Sequence, residues 1–301
     1  MKSSQPLTKM LRRSTDRLSS IYIREMEVED LAFASECTAG EGWVSENFQT
    51  LAGFLLNHPS GCLLAEENGQ PVGICVATPY ERSGFIGELI VRPEVRGRGV
   101  GSSLLNYGVD LLREGGTETV YLDGVLKAVN LYERNGFRKV CRSWRFSGSL
   151  PGEGHPDVSP MTAQDLGQVI ALDQAHFGAD RSFFIQYRFG LFPHLCHVMR
   201  LGDRLVGYIQ GRCGEDWVSA GPWLVSEGVE NPTALLKALA QKADGRLINL
   251  GVLDTNQKAC DLVRLLGFVE RTDSPWRMAK GIRKDLGVSP ACYAIGSAAN
   301  G

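Results

Sequence analysis

The stretch of sequence that decides the fold runs from residue 91 to residue 101 and reads Val-Arg-Pro-Glu-Val-Arg-Gly-Arg-Gly-Val-Gly. An apolar strand is predicted just before it, over 85–91, and an amphipathic helix just after it, over 100–114. Its glycines let the backbone approach a ligand closely and point N–H groups inward. The helix N-terminus adds roughly half a positive charge. The segment therefore predicts an anion cradle, most simply a phosphate site.

The composition is typical of a soluble globular protein with room for two domains. The chain has 301 residues, of which 43% are hydrophobic and 22% charged. Its apolar runs stay well below the ~18–20 residues that a membrane span needs. The net charge is −2, which provides no overall attraction to nucleic acid or acidic lipid. We therefore expect no nucleic acid and no membrane as partners, and a small anionic ligand at the basic loop.

The cysteines and the first residues bear on the compartment. The chain has 8 cysteines, and none form Cys-x-x-Cys pairs. This pattern favours free thiols in a reducing compartment, so we expect a cytoplasmic protein. The cluster His194-Leu195-Cys196-His197 lacks partners at metal-ligand spacing, and we expect no metal. Residues 1–20 are basic and Ser-rich; we expect a disordered extension, with an organellar transit peptide as the alternative.

Strands and helices alternate along the rest of the chain, which predicts an α/β protein, more closely an α+β mixed sheet. For the first half the sequence predicts these elements in order: strand 21–24, helices within 27–57, strands 62–66, 72–80 and 85–91, helix 100–114, strand 119–125, helix 128–135 and strand 138–146. A Gly-, Ser- and Pro-rich linker is predicted at 147–156.

The second half repeats the order of the first. The matching pairs are 71–73 with 205–207, 87–91 with 221–225, and 132–137 with 263–268. The connection that corresponds to the glycine loop is shorter, and it lacks both the arginines and the Gly-x-Gly. We interpret this as an internal duplication in which one copy has lost the phosphate loop.

Two familiar phosphate motifs do not fit the loop. A P-loop requires Gly-x-x-x-x-Gly-Lys-[Ser/Thr], and no lysine precedes Ser102. A dinucleotide fingerprint requires Gly-x-Gly-x-x-Gly after the first strand of a βαβ unit. Here Gly97, Gly99 and Gly101 have a different spacing and follow several strands.

The loop resembles a third motif. Arg96-x-x-Gly99-x-Gly101 is similar to the Gln/Arg-x-x-Gly-x-Gly/Ala signature of the GNAT superfamily of N-acetyltransferases. The segment Leu131-Tyr132-Glu133-Arg134-Asn135-Gly136-Phe137 resembles the second motif of that family, in the expected order. The whole chain resembles tandem members with a divergent C-terminal repeat. The resemblance implies a catalytic GNAT domain at 21–148 and a divergent GNAT-like domain at 157–290.

The resemblance also implies which residues bind and react. The family binds the pyrophosphate of acetyl-coenzyme A with this loop, and its splayed fourth strand offers backbone N–H groups to the thioester carbonyl. The implied donor-binding residues are Leu89, Ile90, Val91, Arg96, Gly97, Arg98, Gly99, Val100, Gly101 and Ser102. Tyr132 matches the family's general acid. The family often has an asparagine seven residues earlier that bonds the pantetheine arm; here Val125 stands there, whereas the second copy has Asn256.

Glu88 is the candidate base from the residues themselves. It interrupts the apolar run at 85–91, where a buried carboxylate is costly unless it is paired or its pKa is raised. A raised pKa suits a base that works near neutral pH. The alternative is a paired strand residue without a role in proton transfer.

We therefore expect an acyltransferase that transfers acetyl from acetyl-coenzyme A to a primary amine, on a small molecule or a peptide. The alternatives are a non-catalytic acyl-coenzyme A sensor and an enzyme for longer acyl chains. The sequence leaves the acceptor and a homodimer open.

Overall fold

The computed structural model of the protein describes residues 21–43, 46–282 and 286–301. The extension predicted at 1–20 lies outside these residues. Helices and strands alternate around a mixed sheet, which confirms the predicted α/β class. We refer below to residues 21–148 as the first half and to residues 158–301 as the second half.

The first half follows the predicted order of elements closely. They are β1 (Ile21–Glu25), α1 (Leu31–Gly40), α2 (Phe48–Asn57), β2 (Cys62–Glu67), β3 (Gln70–Tyr80), β4 (Ser83–Val91), α3 (Val100–Glu114), β5 (Thr119–Gly124), α4 (Val129–Arg134) and β6 (Arg138–Gly148). Strands β1 to β4 are antiparallel neighbours, and β4 pairs in parallel with β5.

The second half repeats this topology. Its elements are β7 (Val158–Pro160), α5 (Leu166–Phe177), α6 (Ser182–Leu191), β8 (His197–Leu201), β9 (Arg204–Cys213), β10 (Trp217–Val225), α7 (Thr233–Ala243), β11 (Leu247–Leu253), α8 (Gln257–Leu265), β12 (Val269–Glu270), β13 (Trp276–Lys280) and β14 (Cys292–Ala294). Strands β7 to β10 are antiparallel neighbours, and β10 pairs in parallel with β11. The duplication read from short sequence matches is therefore a duplication of the fold.

The two halves exchange strands. Strand β13 of the second half inserts between β5 and β6 of the first. The distal part of β6, residues 143–148, pairs in return with β11 of the second half. One sheet consequently runs through both halves. The predicted linker at 147–156 starts too early, because Ser147 is still paired with Asn249 in the sheet.

The core of the first half fixes the position of the glycine loop. Helix α3 buries Val100, Leu104, Leu105, Val109 and Leu112 at helical spacing against the sheet. Each fully buried aliphatic side chain of this kind contributes roughly 1.5–3 kcal/mol. This packing holds the N-terminus of α3 directly after the carboxyl end of β4, which is where an anion would meet the helix.

Candidate active site

Strands β4 and β5 part midway along their length. They pair in parallel over 83–86 and 119–122 and not beyond. At the same level β4 accommodates one extra residue against β3, which is a β-bulge at Glu88 and Leu89. Glu88 has a φ of +48°, which is uncommon for a residue other than glycine. The bulge and the parting of the strands together open a gap beside Glu88.

A cavity of about 200 Å³ lies at this gap, between the two halves of the protein. The first half lines it with Trp43, Glu88 and Tyr132, and the second half lines it with Arg212 and residues 295–299. The structure thus brings the two predicted catalytic residues into one cavity. Glu88 lies on β4 and Tyr132 lies on α4, 44 positions later in the sequence.

The Glu88 carboxyl is buried at the cavity wall. The residue is 4% exposed, and its Oε2 atom has no hydrogen-bond partner among the described residues. Burial, reinforced by the negative charge of Glu46, raises the pKa of Glu88 well above its usual range, and Arg212 opposes the rise. Burial therefore favours the protonated form of this carboxyl group.

A buried ion pair joins the two halves next to Glu88. Arg212 on β9 donates two hydrogen bonds to the Glu46 carboxylate, at 2.5 and 3.1 Å, and a third to Thr50 at 3.2 Å. Both charged side chains are less than a tenth exposed. Removing one partner of such a pair leaves an uncompensated buried charge and typically costs about 3–5 kcal/mol. The second half therefore supplies a cation to the wall of a cavity whose carboxyl belongs to the first.

Tyr132 lies on α4 and lines the same cavity. It is 6% exposed, and its ring meets the edge of Phe137 with centroids 6.2 Å apart. Gly124 makes room for the ring, since a Cβ there would lie 2.9 Å from it. Burial, with a smaller contribution from Cys75, raises the pKa of Tyr132 above its usual value. The phenol therefore keeps its proton over the physiological range and can donate it.

The glycine loop has the open backbone that an anion cradle needs. Gly97 and Gly99 have φ of +77° and +90°, and no atom lies within 4 Å of where their Cβ atoms would be. Gly99 is the N-cap of α3. Gly101 differs, because a Cβ there would make ordinary contacts at 3.6 Å with Leu131 and Val91. The first two glycines are therefore required for the conformation, and the third has space for alanine.

The two predicted loop arginines have carboxylate partners in this structure. Arg96 pairs with Glu41 and also donates to the Val91 carbonyl at 2.8 Å; Arg98 pairs with Glu67. Lys127 binds the same Glu41 carboxylate. Burial acts against ionisation of Glu41, but Lys127 and Arg96 outweigh it and lower its pKa. A bound diphosphate would have to exchange with, or add to, these exposed ion pairs, which are individually weak.

The other predicted donor-binding residues divide according to where their side chains lie. Ile90 and Val100 are buried in two hydrophobic cores, so only their backbone groups can face a ligand. Leu89 lines the cavity, Val91 is half-buried, and Ser102 lies in the first turn of α3.

A second charged network fixes the exchanged strand β13 beside the cavity. Asp123 on β5 accepts from Arg277 Nε at 2.5 Å, from Arg145 at 2.7 Å and from Ser143 at 2.8 Å. Burial alone would raise the pKa of Asp123, but the two arginines reverse the effect and lower it. Asp123 is therefore an ionised structural anchor between the halves.

The equivalent place in the second half is built differently. Strand β10 has a bulge at Gly221 and Pro222, so a proline stands where the first half has Glu88. Val263, fully buried in the core, stands where the first half has Tyr132. The connection at 226–232 contains two acidic residues and no arginine, which disfavours a phosphate.

The gap between β10 and β11 is filled by the protein itself. Strand β14 pairs with β10, and the Ile295 N–H donates to the Gly251 carbonyl on β11 at 2.9 Å. Asn256 caps α8 and donates to the carbonyls of Pro290 and Cys292, at 2.8 and 3.0 Å. Asn256 stands at the position where the family often has its pantetheine-bonding asparagine, and here it bonds a segment of the chain that runs along the same kind of gap.

Sequence reasoning missed the contributions of the second half to the cavity. Arg212 gave only a weak signal: it is a charged residue in β9, a strand that also contains Arg204 and Gln210. Glu46 and residues 295–299 gave none, because their positions depend on contacts across most of the chain.

The histidine cluster at 194–197 does not form a metal site among the described residues. His197 is buried in β8, where burial lowers its pKa to about 4. Among the described residues, no group of three or more His, Cys, Asp or Glu side chains could hold a metal ion. The helices seen in residues 21–43, 46–282 and 286–301 are each too short or too polar to cross a bilayer.

Comparison with known families gives two matches in tandem. The model described as "Acetyltransferase (GNAT) family" matches residues 22–137, and the one described as "Acetyltransferase (GNAT) domain" matches residues 169–287. Together they cover more than half of the chain, and each falls on one of the two repeated folds.

Relatives and solved structures agree with these matches. The Uncharacterized N-acetyltransferase YjhQ of Escherichia coli is 31% identical over 183 residues, which is 55% of this chain and 93% of the relative. N-alpha-acetyltransferase 30 of Dictyostelium discoideum is 27% identical over 132 residues, 42% of this chain and 70% of the relative. A candidate acetyltransferase from Pyrococcus horikoshii has a similar fold, with a TM-score of 0.80 at 19% identity, over 97% of this chain and 99% of that one.

Proposed function

Because the chain belongs to the GNAT acetyltransferase family, we propose that its first half transfers an acetyl group from acetyl-coenzyme A to a primary amine. The observation that carries this proposal is the cavity that Glu88, Leu89 and Tyr132 share at the gap between β4 and β5. It combines a candidate base, backbone groups of a bulged strand and a candidate acid. A relative named as an N-alpha-acetyltransferase supports an amine as the acceptor.

The glycine loop is the proposed site of the donor's diphosphate. Gly97 and Gly99 leave the cradle open, and the N–H groups of the first turn of α3, from Val100 to Ser102, point along the helix dipole. Arg96 and Arg98 lie at its rim and can form charge-assisted hydrogen bonds to phosphate. Leu89, Ile90 and Val91 provide the strand edge along which the rest of the donor would lie.

Glu88 is the proposed general base. An alkylammonium must lose a proton before its nitrogen can attack, and the raised pKa of Glu88 lets the carboxylate accept that proton near neutral pH. The unpartnered Oε2 atom leaves one lone-pair position available for the amine or for an intervening water. The nitrogen then forms a bond to the acetyl carbon.

Tyr132 is the proposed general acid. When the carbon–sulfur bond breaks, the leaving thiolate takes a proton, and the Tyr132 hydroxyl holds one because its pKa is raised. The amine gains the acetyl group, and the thiol leaves with the phenol proton. After the attack the nitrogen still carries a second proton, which passes through solvent to the Tyr132 phenolate, and the proton on Glu88 is released to solvent. An alkylammonium and the acetyl thioester thus give the amide, the thiol and one free proton. Backbone N–H groups at the β4 bulge would stabilise the developing negative charge on the carbonyl oxygen.

Thiol release from acetyl-coenzyme A with a panel of primary amines tests this assignment. We expect Glu88→Gln to lower kcat/KM by about 10²–10⁴-fold and to remove the acid limb of its pH profile. Tyr132→Phe should lower kcat while leaving KM for acetyl-coenzyme A little changed. Glu133→Gln, an exposed neighbour on α4, serves as the matched control and should retain full activity.

Two other outcomes would favour the alternatives. Tight binding of acetyl-coenzyme A without turnover of any amine, and without an effect of either substitution, would favour a non-catalytic sensor. Faster turnover of butyryl- or octanoyl-coenzyme A than of the acetyl donor would favour transfer of a longer chain.

A further inference from the structure

Residues 295–301, which we call the cleft segment, run from the bulge of the second half to the bulge of the first. At one end a Cβ on Gly221 would lie 2.0 Å from the Ile295 carbonyl oxygen. At the other end a Cβ on Gly87 would lie within 2.7 Å of the Ala299 backbone. Two glycines in the bulged strands therefore permit the close approach of this segment. It crosses the floor of the cavity immediately beside Glu88.

Buried polar groups hold the cleft segment in place. Arg181 is 4% exposed; it binds Asp173 with two 2.8 Å hydrogen bonds and donates a third, at 2.7 Å, to the Gly301 carbonyl. Arg188 donates to the Gly296 carbonyl at 3.1 Å, and the Tyr80 hydroxyl donates to the Asn300 carbonyl at 2.8 Å.

The segment is also organised internally. Ser297 donates through its hydroxyl to the Asn300 side chain at 2.8 Å, and that same hydroxyl accepts from the Ala299 N–H at 3.0 Å. A segment anchored at both ends and folded on itself behaves as a fixed wall rather than as a lid.

These contacts leave little room next to Glu88. The cavity of about 200 Å³ has walls on several sides: Trp43 from the first half, residues 249–251 and Pro275 from the second, and the cleft segment below. Pockets for drug-sized ligands have roughly 300–1,000 Å³. An extended peptide needs a slot that continues for roughly 3.3 Å per residue away from the reacting amine.

From this geometry we infer that the acceptor is a small free amine rather than the N-terminus of an extended peptide, and that Ala298 sets its size. Ala298 is exposed and lines the cavity, whereas its neighbours Ser297 and Ala299 are buried. A larger side chain at 298 can project into the cavity without disturbing the buried contacts of the segment. This inference rests on the proposed acetyl transfer, and it names the acceptor class for that reaction.

A pair of acceptors with the same reacting group tests the inference on the full-length protein. Alaninamide and a hexapeptide that begins with alanine both present an alanine α-amine and differ in length. We expect kcat/KM to be at least about 100-fold higher for alaninamide. Comparable values for the two acceptors would overturn the inference and leave acetyl transfer standing. Absence of thiol release with every amine, despite bound acetyl-coenzyme A, would overturn the proposed function and this inference together.

A substitution at 298 tests the role of the cleft segment directly. Ala298→Trp should lower kcat/KM for phenethylamine at least about 10-fold more than for alaninamide, while KM for acetyl-coenzyme A is unchanged. Ala32→Trp, at an exposed position on α1, is the control and should change neither value. An equal loss for both amines, or no loss for either, would contradict a size-determining role for Ala298.

Discussion

The first and second halves share one framework and differ at the point where β4 and β10 bulge. In the first half the bulge carries Glu88, the neighbouring gap is lined by Tyr132, and an arginine-rich glycine loop precedes the helix. In the second half the bulge carries Pro222, Val263 fills the place of the tyrosine, and strand β14 occupies the gap. The framework therefore does not require the site, because one copy folds without it.

The second half forms part of the cavity that Glu88 lines in the first half. It places Arg212 in the wall of the cavity that Glu88 also lines, sends β13 into the neighbouring sheet and adds residues 295–299 to the cavity lining. In the second half, β14 pairs with the edge of β10 that faces the gap, so the backbone groups of that edge are not left exposed.

The largest effect should come from the glycine loop. Gly99→Val forces a β-branched residue into a left-handed conformation, at roughly 1–3 kcal/mol, and fills the open cradle. We expect affinity for coenzyme A to fall by about 100-fold or more, measured by calorimetry.

Two further glycine substitutions serve as controls for the loss of coenzyme A affinity in Gly99→Val. Gly101→Ala should have little effect, because its Cβ would meet neighbours at ordinary distances. Gly228→Val places the same change at a left-handed glycine in the equivalent connection of the second half, and should leave the affinity intact. A loss of affinity in the Gly228 variant would mean that the second half also binds the donor.

Substitution of Glu88 is expected to have a smaller effect on stability than the glycine substitution has on affinity. Glu88→Gln should raise the free energy of unfolding, although it lowers activity. The folded protein holds the Glu88 proton more tightly than the unfolded chain, since burial raises its pKa. The protonated Glu88 therefore contributes to the free energy of unfolding. This contribution is complete below the ordinary glutamate pKa of about 4.3, and it is lost as the pH rises towards the raised pKa of the folded state. Glu88→Gln stays neutral, so at pH 7.5 it should be more stable than the parent by about 1–3 kcal/mol.

Urea unfolding at several pH values measures this difference. The difference in free energy of unfolding between Glu88→Gln and the parent should become smaller as the pH falls towards 4. Glu133→Gln, at an exposed position, should show no such trend. A Glu88→Gln variant that is less stable than the parent at pH 7.5 would mean that the carboxylate is ionised and paired in the folded state.

The smallest effect should come from changing the charges that set the pKa of Glu88, one of which, Arg212, belongs to the second half. Arg212 lowers the pKa of Glu88, and Glu46 raises it. Replacing both, as Glu46→Gln with Arg212→Gln, avoids leaving one buried charge unpaired. Because the influence of Glu46 is the larger, the acid limb of kcat/KM should move to lower pH, with a several-fold change in rate on that limb.

The conservative variant Arg212→Lys should keep the limb close to its original position. An acid limb that does not move in the double variant would show that the second half acts on the cavity by shape alone.

Much of the first half could be predicted because its signals are local. The glycine loop and the interruption of β4 by Glu88 follow from local periodicity and spacing, whereas the Tyr132 motif follows from its resemblance to a family motif. All three lie within 85–137. Even the duplication was visible, since short strings recur in the same order.

The features that were missed depend on pairing between distant residues. Strand β13 carries no local mark that it belongs beside β5, and Ser147 looked like linker because its neighbours are glycine, serine and proline. Arg212 and Glu46 are 166 positions apart and meet only through the packing of the two halves. Nothing in a single strand or helix encodes which groups the other half presents.

Titration of the 301-residue chain with coenzyme A, followed by calorimetry, tests the central claim most directly. We predict one binding site per chain, removed by Gly99→Val and unaffected by Gly228→Val. Two sites per chain, or a single site that survives Gly99→Val, would contradict an account in which the first half holds the donor and β14 fills the corresponding gap of the second.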